Sequence, residues 1–258
     1  MITRRRLLTV AGLGAAIGYP LFVEPRWLEV THNTVHIPGL HRPLRLLHLS
    51  DLHYGFRIPL SLIHEAITLG LAQKPDLICL TGDYVTNNWF DHPLLLLDPL
   101  RRLTRFAPTF AVLGNHDVDP LGDILTNAGV RLLENSSAAF EQLRIVGLGD
   151  LWRSGVEAAN AFAECPTHAP RIVLAHNPDS KDYLTGYDWS LLLCGHTHGG
   201  QVVLPFIGPL LFSVRDRSMV AGLHQWKGRS VHVTRGVGSL FGIRFNCRPE
   251  VSLLELTS

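Results

Sequence analysis

The stretch LLLCGHTHGGQ, residues 191–201, changes abruptly from an apolar run to a polar turn. Its four leading residues suit a strand that is covered on both faces of a sheet, because such strands are apolar at every position. The turn carries His196 and His198 beside three glycines, which allow the backbone to bend sharply. This order predicts a buried strand with a functional loop at its carboxyl end.

The same pattern recurs along the chain and predicts the class of fold. Apolar segments that predict strands lie at residues 44–50, 76–82, 108–114, 143–149, 171–176 and 189–195. Between them, residues 60–74, 94–106 and 121–128 have the spacing of amphipathic helices. The sequence therefore predicts an α/β fold in which two packed, mixed β-sheets are flanked by helices. From about Gln201 onward short β segments dominate, and we expect them to form the second sheet.

Length and composition limit the number of domains and the kinds of partner. A chain of 258 residues, 46% of them hydrophobic, is long enough for one substantial core. We expect a single catalytic domain at residues 27–258 behind an extension at residues 1–26. The formal net charge of +1 argues against a broad nucleic-acid-binding surface. The four cysteines show no zinc-ribbon or redox spacing, although Cys165 and Cys247 could pair in an oxidising compartment.

The extension has the layout of an export signal. Three arginines, Arg4 to Arg6, precede an uncharged apolar stretch from Leu7 to Val23, and this start resembles the twin-arginine pattern of bacterial signals. It predicts export by the Tat translocase and a periplasmic or otherwise extracytoplasmic domain. No clear cleavage site follows, so anchoring in the inner membrane through residues 7–23 stays open. A helix that packs on the domain, or that lies on the cytoplasmic membrane face, is the alternative.

Polar residues follow five of the predicted strands at the position where each strand ends. They are Asp51 and His53, Asp83, the run Asn115-His116-Asp117, His176, and the pair His196 and His198. The carboxyl ends of strands in an α/β sheet share one crevice, so these side chains are expected to converge. Carboxylate, amide and imidazole ligands suit divalent Mn, Fe or Zn better than calcium. A metal centre is therefore predicted at this crevice.

The ordered motifs D-L-H, G-D, G-N-H-D, A-H-N-P and G-H-T-H resemble those of the calcineurin-like metallophosphoesterase superfamily, from about residue 44 to the C-terminus. The resemblance implies a two-sheet sandwich with a dinuclear metal site. By motif position, Asp51, His53 and His198 would hold one metal, and Asn115, His176 and His196 would hold the other. Asp83 would bridge the metals, His116 would be a catalytic histidine that binds neither, and Asp117 would orient its ring.

Such a centre favours hydrolysis of a phosphoester without a covalent enzyme intermediate. Two divalent ions, with manganese preferred and iron, zinc or magnesium as alternatives, can orient a bridging hydroxide and neutralise the phosphoryl oxygens. His116 is then available to protonate the leaving oxygen. We expect a phosphodiesterase that acts on a small-molecule or lipid phosphoester. The alternatives are a pyrophosphatase resembling those that cleave UDP-2,3-diacylglucosamine in lipid A assembly, a phosphomonoesterase, and a non-catalytic metal-binding scaffold.

Two further features bear on the choice of substrate. Residues 202–212 are uncharged and predict either a buried strand and turn or an apolar lip beside the metals. Arg215, Arg217, Arg235 and Arg244 lie among aromatic residues, and either hold a second phosphate or a base or are solvated at strand edges. The remaining nine histidines follow no ligand spacing, so we expect His48 in the core and the others in packing or surface positions.

Overall fold

A computed structural model of the chain describes residues 18–86, 92–117, 119–166, 169–211 and 213–258. The α-helices in these ranges are α1 (Leu60–Ala72), α2 (Leu97–Phe106), α3 (Leu121–Asn127) and α4 (Ala158–Phe162). The strands are β1 (Glu29–His36), β2 (Leu44–Leu49), β3 (Leu77–Thr81), β4 (Thr109–Val112), β5 (Arg131–Leu132), β6 (Ser136–Phe140), β7 (Leu143–Gly147), β8 (Arg171–Leu174), β9 (Leu191–Cys194), β10 (Val203–Leu204), β11 (Gly208–Pro209), β12 (Gly222–Trp226), β13 (Arg229–Val233) and β14 (Glu250–Thr257). Among the helices of these ranges, none is both long and apolar enough to cross a membrane.

The helices and strands predicted from apolar spacing are confirmed to within a few residues. Helix α1 ends two residues before its predicted end, and Pro93–Leu96 form a 3-10 turn ahead of α2. The buried positions of α1 recur at helical spacing and lie against the first sheet. Gly70 allows close approach there, because a Cβ at this position would stand 2.7 Å from the Leu47 side chain.

The described residues form two six-stranded sheets and a small hairpin. The first sheet has the order β1-β14-β2-β3-β4-β5, in which β2 to β5 are parallel and β14 is antiparallel to β2. The second has the order β12-β13-β9-β8-β7-β6, with antiparallel strands at both edges. Strands β10 and β11 pair only with each other within the described residues. Both large sheets are therefore mixed, as predicted.

The expectation that the second sheet consists of segments after Gln201 is wrong. From that region only β12 and β13 join it, beside strands from the middle of the chain. Strand β14 instead lies between β1 and β2 in the first sheet, where Leu254 is opposite Leu46. Burial explains this position: β14 is buried at six of its eight residues, which suits an interior strand rather than a sheet edge.

Buried hydrophobic side chains of the described ranges form three layers of core. One lies between the first sheet and helices α1 to α3 and includes Leu49, Ile63 and Leu100. A second separates the two sheets and includes Leu46 and Leu193. A third covers the outer face of the second sheet. The arrangement is an α/β sandwich, so the predicted fold class is confirmed.

The predicted core histidine is confirmed. His48 on β2 is fully buried, and its ring contacts Thr81 Oγ1 at 2.8 Å and Nδ1 of His232 at 3.0 Å. Burial lowers the pKa of His48 and lowers that of His232 to about 4, so both rings are neutral. The chain's four cysteines all lie in the described ranges and are free, so Cys165 and Cys247 do not pair.

Most of the predicted export signal, including Arg4 to Arg6 and residues 7–17, lies outside the described residues. The part that is described forms two short helical turns, Tyr19–Val23 and Glu24–Arg26. The Arg244 amide donates to the Pro20 carbonyl at 2.9 Å, and the Cys247 amide donates to the buried carboxylate of Glu24. The segment just before residue 27 therefore packs on the chain around Arg244 and Cys247.

A buried ion pair connects strand β14 of the first sheet to the loop after β13. Glu250, at the start of β14, accepts hydrogen bonds from the backbone and side-chain nitrogens of Arg235 at 2.9 and 3.0 Å. Arg235 also donates to Glu29 on β1 at 2.7 Å. Burial opposes ionisation of Glu250, but the Arg235 charge prevails and lowers the pKa of the carboxyl to about 2.

We predict that Glu250→Gln destabilises the protein by about 2–4 kcal/mol at pH 7, because it leaves the Arg235 charge without its main buried partner. The folded pKa of Glu250 lies below its ordinary value of 4.5, so its contribution is complete above pH 4.5 and is lost as pH falls toward 2. Urea unfolding should show the gap between wild type and Glu250→Gln narrowing by about 2 kcal/mol between pH 6 and pH 3. Glu255→Gln, on the exposed side of β14, is the matched control and should have little effect. Equal stability of wild type and Glu250→Gln at pH 7 would contradict this account.

Candidate metal centre

The predicted ligands lie in loops at the carboxyl ends of strands, and most have a left-handed backbone. Asp51, His53, Asp83, His196 and His198 all have φ between 45° and 70°. A non-glycine residue in a sparsely populated region of this kind costs about 1–3 kcal/mol. The left-handed conformation turns the backbone sharply where a buried strand ends. The side chains that follow the strand therefore point into the shared crevice. The strain is thus concentrated at the residues that form the site.

Two glycines let these loops approach one another closely. A Cβ at Gly195 would stand 2.1 Å from Asp51 Oδ2, and a Cβ at Gly114 would stand 2.2 Å from Asp83 Oδ1. Both distances are shorter than any side chain tolerates, so a substitution at either position displaces a carboxylate of the site. The lack of space for a side chain therefore explains why the motifs G-H-T-H and G-N-H-D each begin with glycine.

The first group of ligand atoms comes from Asp51, His53 and His198. The Nε2 atoms of the two histidines are 3.2 Å apart. Asp51 Oδ1 lies 3.5 Å from Nε2 of His198 and 3.9 Å from Nε2 of His53. All three residues are buried, and their ligand atoms lie within 4.8 Å of one another. This is the set that the motifs imply for one metal.

The second group is centred on His176. Its Nε2 atom lies 3.2 Å from Asp83 Oδ2 and 3.1 Å from Nδ1 of His196. The ligand atoms of His176, Asp83 and Asp51 all lie within 4.8 Å of one another. Asn115 follows β4, and its buried amide oxygen has no hydrogen-bond partner among the described residues. An unpartnered buried acceptor of this kind fits a metal ligand, as the motif position of Asn115 implies.

Asp83 lies between the two groups. Its Oδ2 atom is 3.4 Å from Nε2 of His53 and 3.2 Å from Nε2 of His176, one histidine from each group. Its Oδ1 atom accepts a hydrogen bond from the His116 amide at 3.0 Å. This position suits the bridging role that the resemblance implies. The structure brings together the carboxylates and imidazoles of both implied ligand sets.

Backbone carbonyls fix the orientation of two of the rings. Nδ1 of His176 donates to the Thr81 carbonyl at 2.8 Å, and Nε2 of His196 donates to the Ser213 carbonyl at 3.1 Å. In each ring the other nitrogen faces the crevice. Histidine ligands of metals are commonly oriented in this way.

The electrostatics of the site fit divalent cations. Burial lowers the pKa of His53 to about 4 and that of His196 to about 3, so both rings are neutral at pH 7. Burial opposes a charge on His176, yet the Asp83 carboxylate raises the pKa of His176 to about 10. The facing ring nitrogens, 3.1 to 3.2 Å apart, lie within reach of one cation, and metal binding would displace the proton that Asp83 stabilises on His176. The mixed oxygen and imidazole donors are of the kind that bind Mn, Fe or Zn.

His116 lies beside the candidate ligands, but it is more exposed than the histidines among them. Its ring is half-exposed, and the ring centroid is 5.2 Å from that of His53. Nδ1 of His116 donates to the Thr86 carbonyl at 3.1 Å, which leaves Nε2 as the nitrogen that can exchange a proton with substrate. This geometry suits a general acid rather than a ligand.

The expectation that Asp117 orients the ring of His116 is wrong. The Asp117 carboxylate accepts hydrogen bonds from three backbone amides, those of Gly114 at 2.8 Å, Asp83 at 2.7 Å and Tyr84 at 2.8 Å. Burial, with the nearby charge of Asp83, raises the pKa of Asp117 to about 7. Asp117 therefore holds the loops after β3 and β4 together, because amides at a strand end need an acceptor that neither sheet supplies.

Two of the four arginines proposed to bind substrate have structural partners instead. Arg235 is tied to Glu29 and Glu250, as described above. The Arg244 side chain is fully buried, and its guanidinium donates to the carbonyls of His198, Cys247, Arg235, Gly236 and Gly238. Arg244 therefore connects the loop that carries His198 to the loop after β13. Sequence spacing did not indicate this role, because every residue type has a backbone carbonyl and no motif marks which carbonyls a side chain binds.

The other two arginines, Arg215 and Arg217, are exposed as a substrate-binding role requires. Arg215 lines a cavity of about 530 Å³ together with Trp152, Tyr183 and Ser213. The Trp152 ring meets the His196 ring edge-on at 4.5 Å between centroids, so this cavity adjoins the second ligand group. Trp152 is a candidate binding residue that the sequence analysis missed, because it stands alone outside the motifs.

Comparisons with known proteins identify a family and several relatives of the chain. Residues 44–200 match the calcineurin-like phosphoesterases. Phosphodiesterase YaeI of Escherichia coli K12 is 43% identical over 99% of this chain and 100% of that protein. UDP-2,3-diacylglucosamine pyrophosphatase LpxG of Chlamydia trachomatis serovar D is 27% identical over 90% of each chain. A solved structure of a 5'-nucleotidase precursor from Thermus thermophilus has a TM-score of 0.49 and 16% identity, and covers 83% of this chain and 55% of that one.

We predict that Arg244→Lys lowers the affinity for divalent metal about 10- to 100-fold, because an ammonium group cannot reproduce the planar fork that holds the His198 carbonyl. Mn²⁺ titration of the chelated protein by calorimetry measures this, with circular dichroism to verify the fold. Arg215→Lys is the matched control, since Arg215 is exposed, and should bind Mn²⁺ like wild type. Unchanged affinity in a folded Arg244→Lys protein would refute the positioning role.

Proposed function

The chain belongs to the calcineurin-like phosphoesterase family, and from this premise we propose that it hydrolyses phosphodiesters at a two-metal centre. One observation carries the proposal: Asp83 lies within 3.4 Å of a histidine nitrogen from each ligand group. A carboxylate in this position can hold two ions close together. When bound, two divalent ions would supply a nucleophile from water and charge stabilisation for the phosphoryl oxygens.

The residues of the chain supply orientation and the proton for the leaving group. Nδ1 of His176 and Nε2 of His196 donate to the Thr81 and Ser213 carbonyls, so the other nitrogen of each ring faces the crevice and is the one that would bind metal. His116, anchored by its Nδ1 to Thr86, donates a proton from Nε2 to the departing ester oxygen. A water-derived oxygen bonds to phosphorus as the bond to the ester oxygen breaks, and that oxygen leaves as the alcohol with the proton from His116, so no covalent bond to the protein forms.

The cavity beside His196 favours a diester over a monoester. A phosphodiester carries two substituents, one of which leaves while the other stays on phosphorus. The cavity lined by Trp152, Tyr183 and Arg215 has room for one substituent next to the second ligand group. The 43% identity to a protein named phosphodiesterase supports the same choice.

Metal identity and location are part of the proposal. The mixture of carboxylate, amide and imidazole donors supports manganese, with iron, zinc or magnesium as alternatives. Arg4 to Arg6 and the apolar stretch from Leu7 to Val23 support Tat-dependent export and an extracytoplasmic, membrane-associated domain.

A second candidate function is cleavage of the pyrophosphate of UDP-2,3-diacylglucosamine, because the relative named for that activity matches over 90% of each chain. This substrate lies on the cytoplasmic face of the membrane. Assay of the purified protein with this nucleotide sugar, together with protease accessibility of the domain in intact cells, separates the two candidates.

We predict that chelated protein regains activity on bis-p-nitrophenyl phosphate when Mn²⁺ is returned, and that p-nitrophenyl phosphate is cleaved more slowly. His116→Ala should retain bound Mn²⁺ but lose about 10²- to 10⁴-fold in kcat, the usual contribution of a general acid. Asp83→Ala should lose both the bound metal and the activity. His41→Ala, at an exposed position remote from the motifs, is the control and should match wild type. Inactivity of wild type with every metal would sink the proposal.

We also predict that the defect of His116→Ala depends on the leaving group. Phenol is a poorer leaving group than p-nitrophenol and needs its proton more, so the loss in kcat should be larger for a phenyl diester than for a p-nitrophenyl diester. Steady-state rates on the two esters measure the ratio. Equal losses would mean that His116 acts other than as a proton donor.

A further inference from the structure

Several large apolar side chains of the described residues face solvent near the metal centre. Phe206 is fully exposed, and the exposed fractions of Phe56, Phe241 and Phe22 are 94%, 72% and 65%. We call the following residues the apolar rim: Phe22, Phe56, Phe206, Ile207, Leu210 and Phe241. Soluble monomers seldom expose apolar clusters of this size unless the cluster contacts a partner or a membrane.

The four segments that carry the apolar rim adjoin one another. The Arg244 amide donates to the Pro20 carbonyl at 2.9 Å, which joins the segment of Phe22 to the segment of Phe241. A cavity lined by Phe22, Phe56 and Gly242 brings in the third segment. The amide of Val203, on the hairpin that carries Phe206, donates to the Phe245 carbonyl at 2.9 Å. The segments that carry the rim are therefore neighbours in the fold.

The charge of the rim is as distinctive as its hydrophobicity. Residues 18–23, 54–59, 202–211 and 240–243 contain a single charged side chain, Arg57, and no carboxylate. Arg26 is exposed and lines the same cavity as Phe22 and Phe56. Apolar side chains flanked by arginine and free of acidic residues suit the interface of a lipid bilayer, where the arginines meet lipid phosphates.

The rim is also attached directly to the ligands of the metal centre. Phe56 follows His53 by three residues. The hairpin β10–β11 begins soon after His198, and the chain returns at Ser213, whose carbonyl accepts a hydrogen bond from His196. A surface that rests on the rim would hold the metal centre near that surface.

The sequence that precedes the described residues supports a membrane as the occupant. Residues 7–17 are uncharged and follow Arg4 to Arg6, and they join the described chain at Gly18, next to the rim. The apolar run is joined to the segment of Phe22, and the rim is itself apolar. One lipid bilayer can therefore cover both.

We propose that the apolar rim inserts into the interface of a lipid bilayer, so that the metal centre meets phosphoesters carried by membrane amphiphiles. The substrate class rests on the proposed function, whereas the docking does not. The hairpin tip at Phe206 and Ile207 enters the bilayer, and the crevice lies at the level of the lipid headgroups.

The docking is tested by fluorescence quenching with the full chain in vesicles of phosphatidylcholine and phosphatidylglycerol that carry brominated acyl chains. Phe206→Trp adds a fluorophore at the hairpin tip. Phe106→Trp is the matched control, because Phe106 is exposed but precedes β4 at the end of the sheet away from the ligands. After subtraction of the wild-type signal, the emission at 206 should be quenched and that at 106 should not. No quenching at 206, as expected if residues 1–17, a second copy or another protein covers the rim, overturns the proposal. So does equal quenching at both positions.

The substrate class is tested with two esters that share one leaving group, methyl p-nitrophenyl phosphate in solution and hexadecyl p-nitrophenyl phosphate in the same vesicles. The double variant Phe206→Ser, Ile207→Ser should lose about 10-fold or more in kcat/KM on the hexadecyl ester, since it removes two apolar side chains from lipid. Its activity on the methyl ester should match wild type. An undiminished rate on the hexadecyl ester, or an equal loss on both esters, counts against docking. Failure of wild type to cleave either ester contradicts the proposed function, and the quenching result then still decides the docking.

Discussion

The structure depends on holding lone pairs close together in a place from which water is excluded. Two pairs of imidazole nitrogens stand 3.1 to 3.2 Å apart among buried carboxylates, which places several donor atoms within reach of one cation. Much of the surrounding chain serves this arrangement. Asp117 binds three loop amides, Arg244 binds five carbonyls, and Thr81 and Ser213 fix two rings. The sandwich supplies the rigid strand ends, and these buried polar contacts convert them into a site with defined ligand positions.

This arrangement has a free-energy cost that the hydrophobic layers must offset. Five ligands adopt left-handed backbone conformations, and Arg244 is buried without a carboxylate partner among the described residues, at a position where a charge is normally paired. Metal binding to the folded state alone would add stability that rises with the logarithm of the affinity. The strained ligand loops therefore make the free energy of unfolding depend on bound metal. The burial of the three apolar layers limits how much strain the metal-free fold can tolerate.

Sequence analysis predicted the fold class and the polar residues that converge on the crevice, because both follow from local rules. A buried strand is apolar throughout, and the polar residues that follow it at Asp51, Asp83, His176 and His196 stand out against that background. The position of β14 could not be derived this way, since an interior strand has the same composition wherever it pairs. The roles of Asp117, Arg235 and Arg244 were equally hidden, because their partners are backbone atoms or carboxylates and no residue spacing encodes such contacts.

The place of β14 also bears on the timing of folding during synthesis. Every other strand of the described residues precedes it in the chain, yet it separates β1 from β2 in the first sheet. While β14 is still within the ribosome, β1 has no strand to pair with and β2 lacks one neighbour. The second sheet has all its strands earlier and can assemble first. Because β2, which leads to Asp51 and His53, gains its second neighbour only when β14 docks, we expect a nascent chain to retain metal in this crevice less well before its synthesis has passed Thr257.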